Sequence, residues 1–205
     1  MGMIRDLIIR WLARRYAPAE FAFPHVLRNA RRVMVLMPLS LEAFRLSEYF
    51  LSRLPQAFPD AKITLLYPPK SLAPRFYNPH GYRVVVPEPR QVWWFSLPRR
   101  AFLEKLFESK FDVIIILNKE PSVFYSAAVM ASGTAVRIGL PGGMGAPFVT
   151  VELRHGRDDA DVKTEFILFV EMLRKMSRVV PPPDESSGAG LEPTSPLIGP
   201  QLAML

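Results

Sequence analysis

The run Val113–Leu117 (VIIIL) is apolar at every position. A strand that shows one face to water alternates polar and apolar residues, so an unbroken run must be covered on both faces. Val33–Met37 (VMVLM) is of the same kind. Shorter strand-like runs occur at Lys62–Leu66, Val84–Val86 and Ala135–Ile138, and Phe148–Leu153 (FVTVEL) alternates as an edge strand does. Helical spacing fills the intervals. Ser40 is placed to cap a helix over Leu41–Leu54, Ala101–Ser109 forms a short one, and Pro121 opens another reaching Ala131. Asp158–Arg178 repeats apolar residues at Val162, Phe166, Val170, Leu173 and Met176, three or four apart. Strands alternating with helices predict an α/β fold with one doubly wound, mostly parallel sheet.

A chain of 205 residues can build one sizeable core and is short for two. No stretch reaches the ~20 predominantly apolar residues that a membrane-spanning helix needs. Met1–Tyr16 mixes Arg with apolar residues instead of separating a basic end from an apolar run, so no cleavable signal is expected. The chain has no Cys, which excludes a disulfide framework, cysteine zinc sites and thiol catalysis. A cytoplasmic location is the expectation.

The formal net charge is +7, and its distribution says more than the sum. Arg5, Arg10, Arg14, Arg15, Arg28, Arg31 and Arg32 face only Asp6 and Glu20 in the first 32 residues. Such a bias suits an anionic partner. Met3–Tyr16 places Ile4, Leu7, Ile8, Trp11 and Leu12 on one helical face, with Arg10 and Arg14 largely on the other. Helices that lie in a membrane interface are built this way, and so are helices that pack a stripe on their own domain or on a partner protein. A second basic and aromatic segment, Arg90–Arg100, carries Trp93, Trp94 and Phe95 beside Arg99 and Arg100. Its aromatics either pack beneath the domain or dip into a lipid interface. Nucleic acid is disfavoured as a partner, because no recognition motif accompanies the charge.

The order of elements resembles the N-terminal half of glycosyltransferase family 9, the heptosyltransferase-like enzymes of the GT-B fold. Three segments carry the resemblance: Arg31–Leu66, with its strand, loop, helix and Phe58-Pro59-Asp60 turn; Phe111–Pro141; and Asp158–Lys175. The resemblance implies a single Rossmann-like domain, one half of a GT-B fold, over residues 31–178. A basic amphipathic helix and connector would precede it (1–30), and a Pro/Ser/Gly-rich tail, disordered or extended, would follow (179–205). In that family the N-terminal half receives a lipopolysaccharide-type acceptor at the cytoplasmic membrane face, and the C-terminal half holds the nucleotide sugar. The tail begins about where such a chain would cross to its donor half, so the expectation is an acceptor-side domain alone.

The departures from the family pattern are informative. The family's Gly-Asp after the first strand, whose Asp is the presumed base, is matched by Glu42-Ala43. Alanine cannot accept a proton, and Glu42 lies one residue early, a rotation of about 100° on a helix. Glu42 is therefore a weak base candidate. The fourth-strand Asp and following Gly are matched by Ile116 and Lys119. Pro38, Ser40, Glu42 and Lys119 remain as residues that could border an acceptor or ligand groove at the strand ends.

Other groups carry less. Gly139–Gly145 follows a strand but leads to Pro147 and not to a helix, so a tight loop is expected instead of a phosphate cradle. His25, His80 and His155 lie apart, and Asp158, Asp159 and Asp161 fit a helix start better than a cation site. No cofactor or metal is expected. The combined expectation is a degenerate, non-catalytic, glycosyltransferase-like binding or assembly subunit of the cell envelope, peripheral to the cytoplasmic face of the inner membrane. Its contacts with the membrane surface or anionic lipid would be Arg10, Trp11, Arg14, Arg15, Trp93, Trp94, Arg99 and Arg100, and a protein partner is also open. Two alternatives stand beside it: the acceptor-binding half of a glycosyltransferase completed by a separate donor-domain chain, and a structural subunit of a larger membrane complex.

Overall fold

The computed structural model describes residues 2–14, 23, 25–69, 71, 81–154 and 161–178. Its six strands are β1 (Arg32–Leu36), β2 (Lys62–Leu66), β3 (Arg83–Val85), β4 (Val113–Ile116), β5 (Val136–Gly139) and β6 (Val151–Glu152). They form one parallel sheet in the order β3-β2-β1-β4-β5-β6. The two unbroken apolar runs lie side by side at the centre, Val33 against Val113 through Leu36 against Ile116. Both are buried, as their lack of a polar face requires. β6 is an edge strand, shorter than the alternating run, because only Val151 and Glu152 find partners on β5.

The helices are α1 (Gly2–Ala13), α2 (His25–Arg28), α3 (Leu41–Ala57), α4 (Arg100–Phe107), α5 (Val123–Ser132) and α6 (Val162–Arg178). Successive strand residues point to opposite faces, and this divides the core in two. Val33, Val35, Ile63, Leu65, Val113 and Ile115 meet α2, α3 and α6. Met34, Leu36, Leu66, Ile114 and Ile116 meet α4 and α5, with Ile9, Leu12 and Ala13 of α1 packed at the margin. Phe50 of α3 stacks on Phe169 of α6 with ring centroids 5.6 Å apart. Fully burying one such side chain stabilises by ~1.5–3 kcal/mol.

Ser40 caps α3 as expected, whereas α5 starts from a Ser122 cap and not at Pro121. Ser40 Oγ accepts the Ala43 amide at 3.2 Å, and Ser122 Oγ accepts that of Tyr125 at 3.3 Å. Asp161 accepts the Thr164 amide at 2.7 Å, and these hydrogen bonds hold its carboxyl below the usual carboxylate range. α3 runs past the expected end at Leu54 to Ala57, where Phe58 N still donates to Leu54 O at 3.1 Å. The short α2 was not foreseen; it buries Leu27 beneath α6.

The glycine run after β5 forms turns, with Gly142 and Gly145 at φ +67 and +64. Gly139 has a different reason to be glycine. A Cβ there would lie 2.7 Å from Val149 Cγ2, and Val149 is buried and β-branched, so it cannot turn aside. Arg15, His80, His155, Asp158, Asp159 and the 179–205 tail lie outside the described residues.

Candidate functional site: an apolar groove at the strand ends

The chain leaves β1 towards α3 and leaves β4 towards α5, and these helices lie on opposite faces of the sheet. The two loops therefore diverge above the β1–β4 pair, which is where open α/β sheets bind ligands. Here the crevice floor is tied down from within. Asn118, buried at the end of β4, accepts the Leu39 amide on Oδ1 at 3.2 Å and donates through Nδ2 to Glu120 O. Tyr125 on α5 donates its hydroxyl to Met37 O at 2.7 Å, and the same oxygen lies 3.2 Å from Leu66 O. One phenol thus fastens α5 to the ends of β1 and β2. Burial, with a smaller contribution from nearby Tyr67, raises the Tyr125 pKa well above its ordinary value.

Above this floor lies a groove of about 610 Å³, whose floor includes Leu39, Pro68 and Phe124. Its size falls within the ~300–1,000 Å³ range usual for small-molecule sites. One wall is α1, through Ile4, Arg5 and Ile8. The other is the loop before α4. There Glu88 and Gln91 close a capping box around Pro89–Gln91, and Glu88 N donates to Gln91 Oε1 at 2.8 Å. Trp93 N then donates to Leu97 O at 2.8 Å, closing a tight turn that passes through Ser96 at φ 60. Arg99 N reaches back to Gln91 O at 2.8 Å, and its guanidinium lies 4.7 Å from the Trp93 ring centre.

The turn holds its aromatics outward. Trp94 is 85% exposed and Trp93 53%, with Phe95 tilted against Trp94 at a centroid distance of 4.0 Å. This corrects the expectation that these rings could pack beneath the domain: the hydrogen-bonded turn is too short to fold them back. α1 is likewise divided. Ile9, Leu12 and Ala13 face α5, while Ile4, Leu7 and Trp11 stay 53%, 68% and 49% exposed. The stripe expected to act as one face thus serves two surroundings, because the helix docks about one residue round from the sequence-drawn face.

The remaining candidates are placed as follows. Pro38 is buried at the end of β1, Ser40 is spent on its cap, and Glu42 is exposed on the first turn of α3. None of the three lines the groove; Leu39, between them, does. Lys119, the fourth residue expected to border the groove, does not line it either. Its Nζ instead lies 2.5 Å from Oε2 of Glu165, a buried carboxylate on α6. That pairing draws Lys119 towards the α3 and α6 face, away from the groove. Arg10 and Arg14 are exposed, as are Arg99 and Arg100, the last pairing with Glu104 at 2.7 Å. Asn118 and Tyr125 were not foreseen, and a lone polar residue closing an apolar strand, as Asn118 closes VIIIL, is the signal that could have marked the first. Among the described residues no cluster of three metal-ligating side chains occurs.

Two solved structures share this architecture. The glycosyl transferase family 9 protein from Veillonella parvula DSM 2008 superposes with a TM-score of 0.53 at 20% identity, covering 77% of this chain and 43% of that one. The fold is glycosyltransferase family 9-like. E. coli heptosyltransferase WaaC with ADP superposes with a TM-score of 0.51 at 19% identity, covering 74% and 48%. The match spans less than half the length of either structure, so this heptosyltransferase-like domain corresponds to one Rossmann-like half of a GT-B fold. No protein-family model and no curated protein matches the chain.

Proposed function

We propose that this chain is a non-catalytic, glycosyltransferase-like binding subunit that works at the cytoplasmic face of a membrane. The observation that supports it best is the continuity of two exposed apolar elements. Ile4 of α1 and Trp93–Phe95 line the same groove, and Leu7 and Trp11 on α1, like Trp94 on the turn, are exposed. Exposed patches of this kind mark interaction sites. Arg10 on α1, Arg14 just past its end and Arg99 after the turn are exposed, and among the described residues none of them has a carboxylate partner. Aromatic and aliphatic groups beside unpaired arginines are what an anionic bilayer surface attracts. No helix among the described residues is long and apolar enough to cross a membrane, so contact would be from one side.

The non-catalytic part of the reading rests on Glu42 and Ala43. Ala43 carries no proton acceptor, and Glu42 lies outside the groove where an acceptor hydroxyl would be presented. A second reading, an acceptor half completed by a donor-domain chain, is favoured by one fact: the groove sits at the crevice between β1 and β4. Robust sugar transfer by a co-purified complex, lost in Glu42→Ala, would replace the first reading with the second.

Flotation with vesicles tests the membrane contact. The intact chain is expected to float with vesicles containing about one-third phosphatidylglycerol, and to float poorly with phosphatidylcholine alone or at high salt. Deleting α1 would uncover the side of α5 on which Ile9, Leu12 and Ala13 pack. Leu7→Ser/Trp11→Ser, which changes exposed residues that do not line the groove, is therefore the cleaner comparison. Equal flotation of this variant and the intact chain would remove α1 from the account.

A further inference from the structure

We infer that the groove between α1 and the Trp93–Ser96 turn holds one acyl chain of an anionic lipid drawn from the membrane surface, with its head group at Arg5. This rests on the membrane reading and names the ligand of the same site. Sugars and nucleotides are recognised by convergent hydrogen-bonding groups, yet the polar side chains beneath the floor are already engaged within the protein, and only Ser96, the indole N–H groups and Arg5 bring side-chain polarity to the walls. Asn118 spends its oxygen on Leu39 N and its amide on Glu120 O, Ser122 Oγ accepts from Tyr125 N, and the Tyr125 hydroxyl is given to Met37 O. What faces the space is carbon: Ile4, Ile8, Leu39, Val123 and Phe124, with Trp93 at the rim. Such walls reward an apolar chain.

Charge selects the head group. Among the described residues Arg5 is the one cation that lines the groove, on the α1 wall. Its nearest carboxylate, Asp6, is 3.3 Å away, but both side chains are about half exposed, so this neighbour-in-sequence pair is weak competition for a phosphate. Arg99, its guanidinium 4.7 Å from the Trp93 ring centre, places a second cation beside the opposite wall. The groove opens onto the surface that carries Ile4 and Trp94, so a chain leaving the bilayer would stay in contact with apolar groups throughout. The described fold of α1 makes it a wall of the site as well as a contact for the bilayer.

The test uses monomeric dodecyl phosphate below its micelle concentration, titrated into the full chain by calorimetry, with inorganic phosphate and dodecyl maltoside as head-only and tail-only controls. Saturable binding of dodecyl phosphate is expected, at least tenfold tighter than either control. Leu39→Trp fills the groove and is expected to weaken dodecyl phosphate binding tenfold or more. Arg5→Glu, on an exposed side chain whose change does not threaten the fold, is expected to lower dodecyl phosphate affinity several-fold and dodecyl maltoside affinity little. Absence of saturable binding would overturn the inference even if the chain floats with vesicles, as would binding that neither variant changes. Equal affinity for dodecyl maltoside would overturn the anionic head group. If flotation itself fails while dodecyl phosphate binds in the groove, the membrane reading falls and the ligand assignment survives.

Discussion

The two faces of the sheet are built from similar residues and end in different states. Towards α2, α3 and α6 the strand side chains are covered by two long helices packed on each other, and the rings of Phe50 and Phe169 close the layer. Towards α1, α4 and α5 the cover is made of shorter pieces, and it stops short at the strand ends, leaving the groove and the outward aromatics. The first face spends its apolar surface on stability. The second leaves part of it available to a partner. A sheet can therefore carry a complete core on one side and an open groove on the other without any change in the chemistry of its strands.

If that contrast is right, substitutions should separate cleanly into those that affect folding and those that affect binding. Phe169→Ala on the closed face removes a fully buried ring and is expected to cost ~3–5 kcal/mol in chemical denaturation. Vesicle flotation of the molecules that remain folded should not change. A loss below about 1 kcal/mol would mean that the closed face is not the principal core.

Gly139→Ala should rank next, at ~1–3 kcal/mol, because the added methyl meets buried Val149 at 2.7 Å. Retention of full stability would show that the β6 side gives way easily. Tyr125→Phe removes the tie between α5 and the ends of β1 and β2, for about 1–2 kcal/mol. Its pH dependence has a definite sign. The folded pKa is raised, so the phenol's contribution is complete below the ordinary tyrosine pKa of about 10, and is lost as pH rises from there through the folded value. The intact chain should lose stability above about pH 10, and Tyr125→Phe should lose it less steeply. An identical slope in both would show that another group governs alkaline unfolding.

The smallest effect on folding belongs to the open face. Trp94→Ala, at an 85% exposed position, should change stability by less than ~0.5 kcal/mol while weakening vesicle binding several-fold. A large loss of stability with unchanged flotation would reverse the roles assigned to the two faces.

Much of the fold was legible because burial on both faces leaves a plain trace. VIIIL and VMVLM admit few environments other than adjacent central strands, and β1 and β4 are those strands. Ser40 marks a helix start for a local reason, since a cap needs only its own first turn. The site was less legible, because it depends on long-range neighbours. Nothing near Lys119 in sequence announces Glu165, and nothing near Leu39 announces Asn118. The direction of Trp93 and Trp94 follows from the Trp93–Leu97 hydrogen bond and the Gln91–Arg99 closure, geometry that composition does not encode. α1 shows the limit of periodicity. Its apolar positions are right in number, but which of them turn inward is decided by the shape of α5.

The central claim is that the Trp93–Phe95 turn and the outer side of α1 form one surface that enters an anionic bilayer. The most direct measurement uses a Trp11→Phe/Trp93→Phe variant, which leaves Trp94 as the only tryptophan of the three in the chain. Its fluorescence is followed as vesicles containing phosphatidylglycerol with brominated acyl chains are added. The account predicts a blue shift and strong quenching with these vesicles, and little of either with brominated phosphatidylcholine alone. Emission that stays solvent-like and unquenched with both lipids would contradict it.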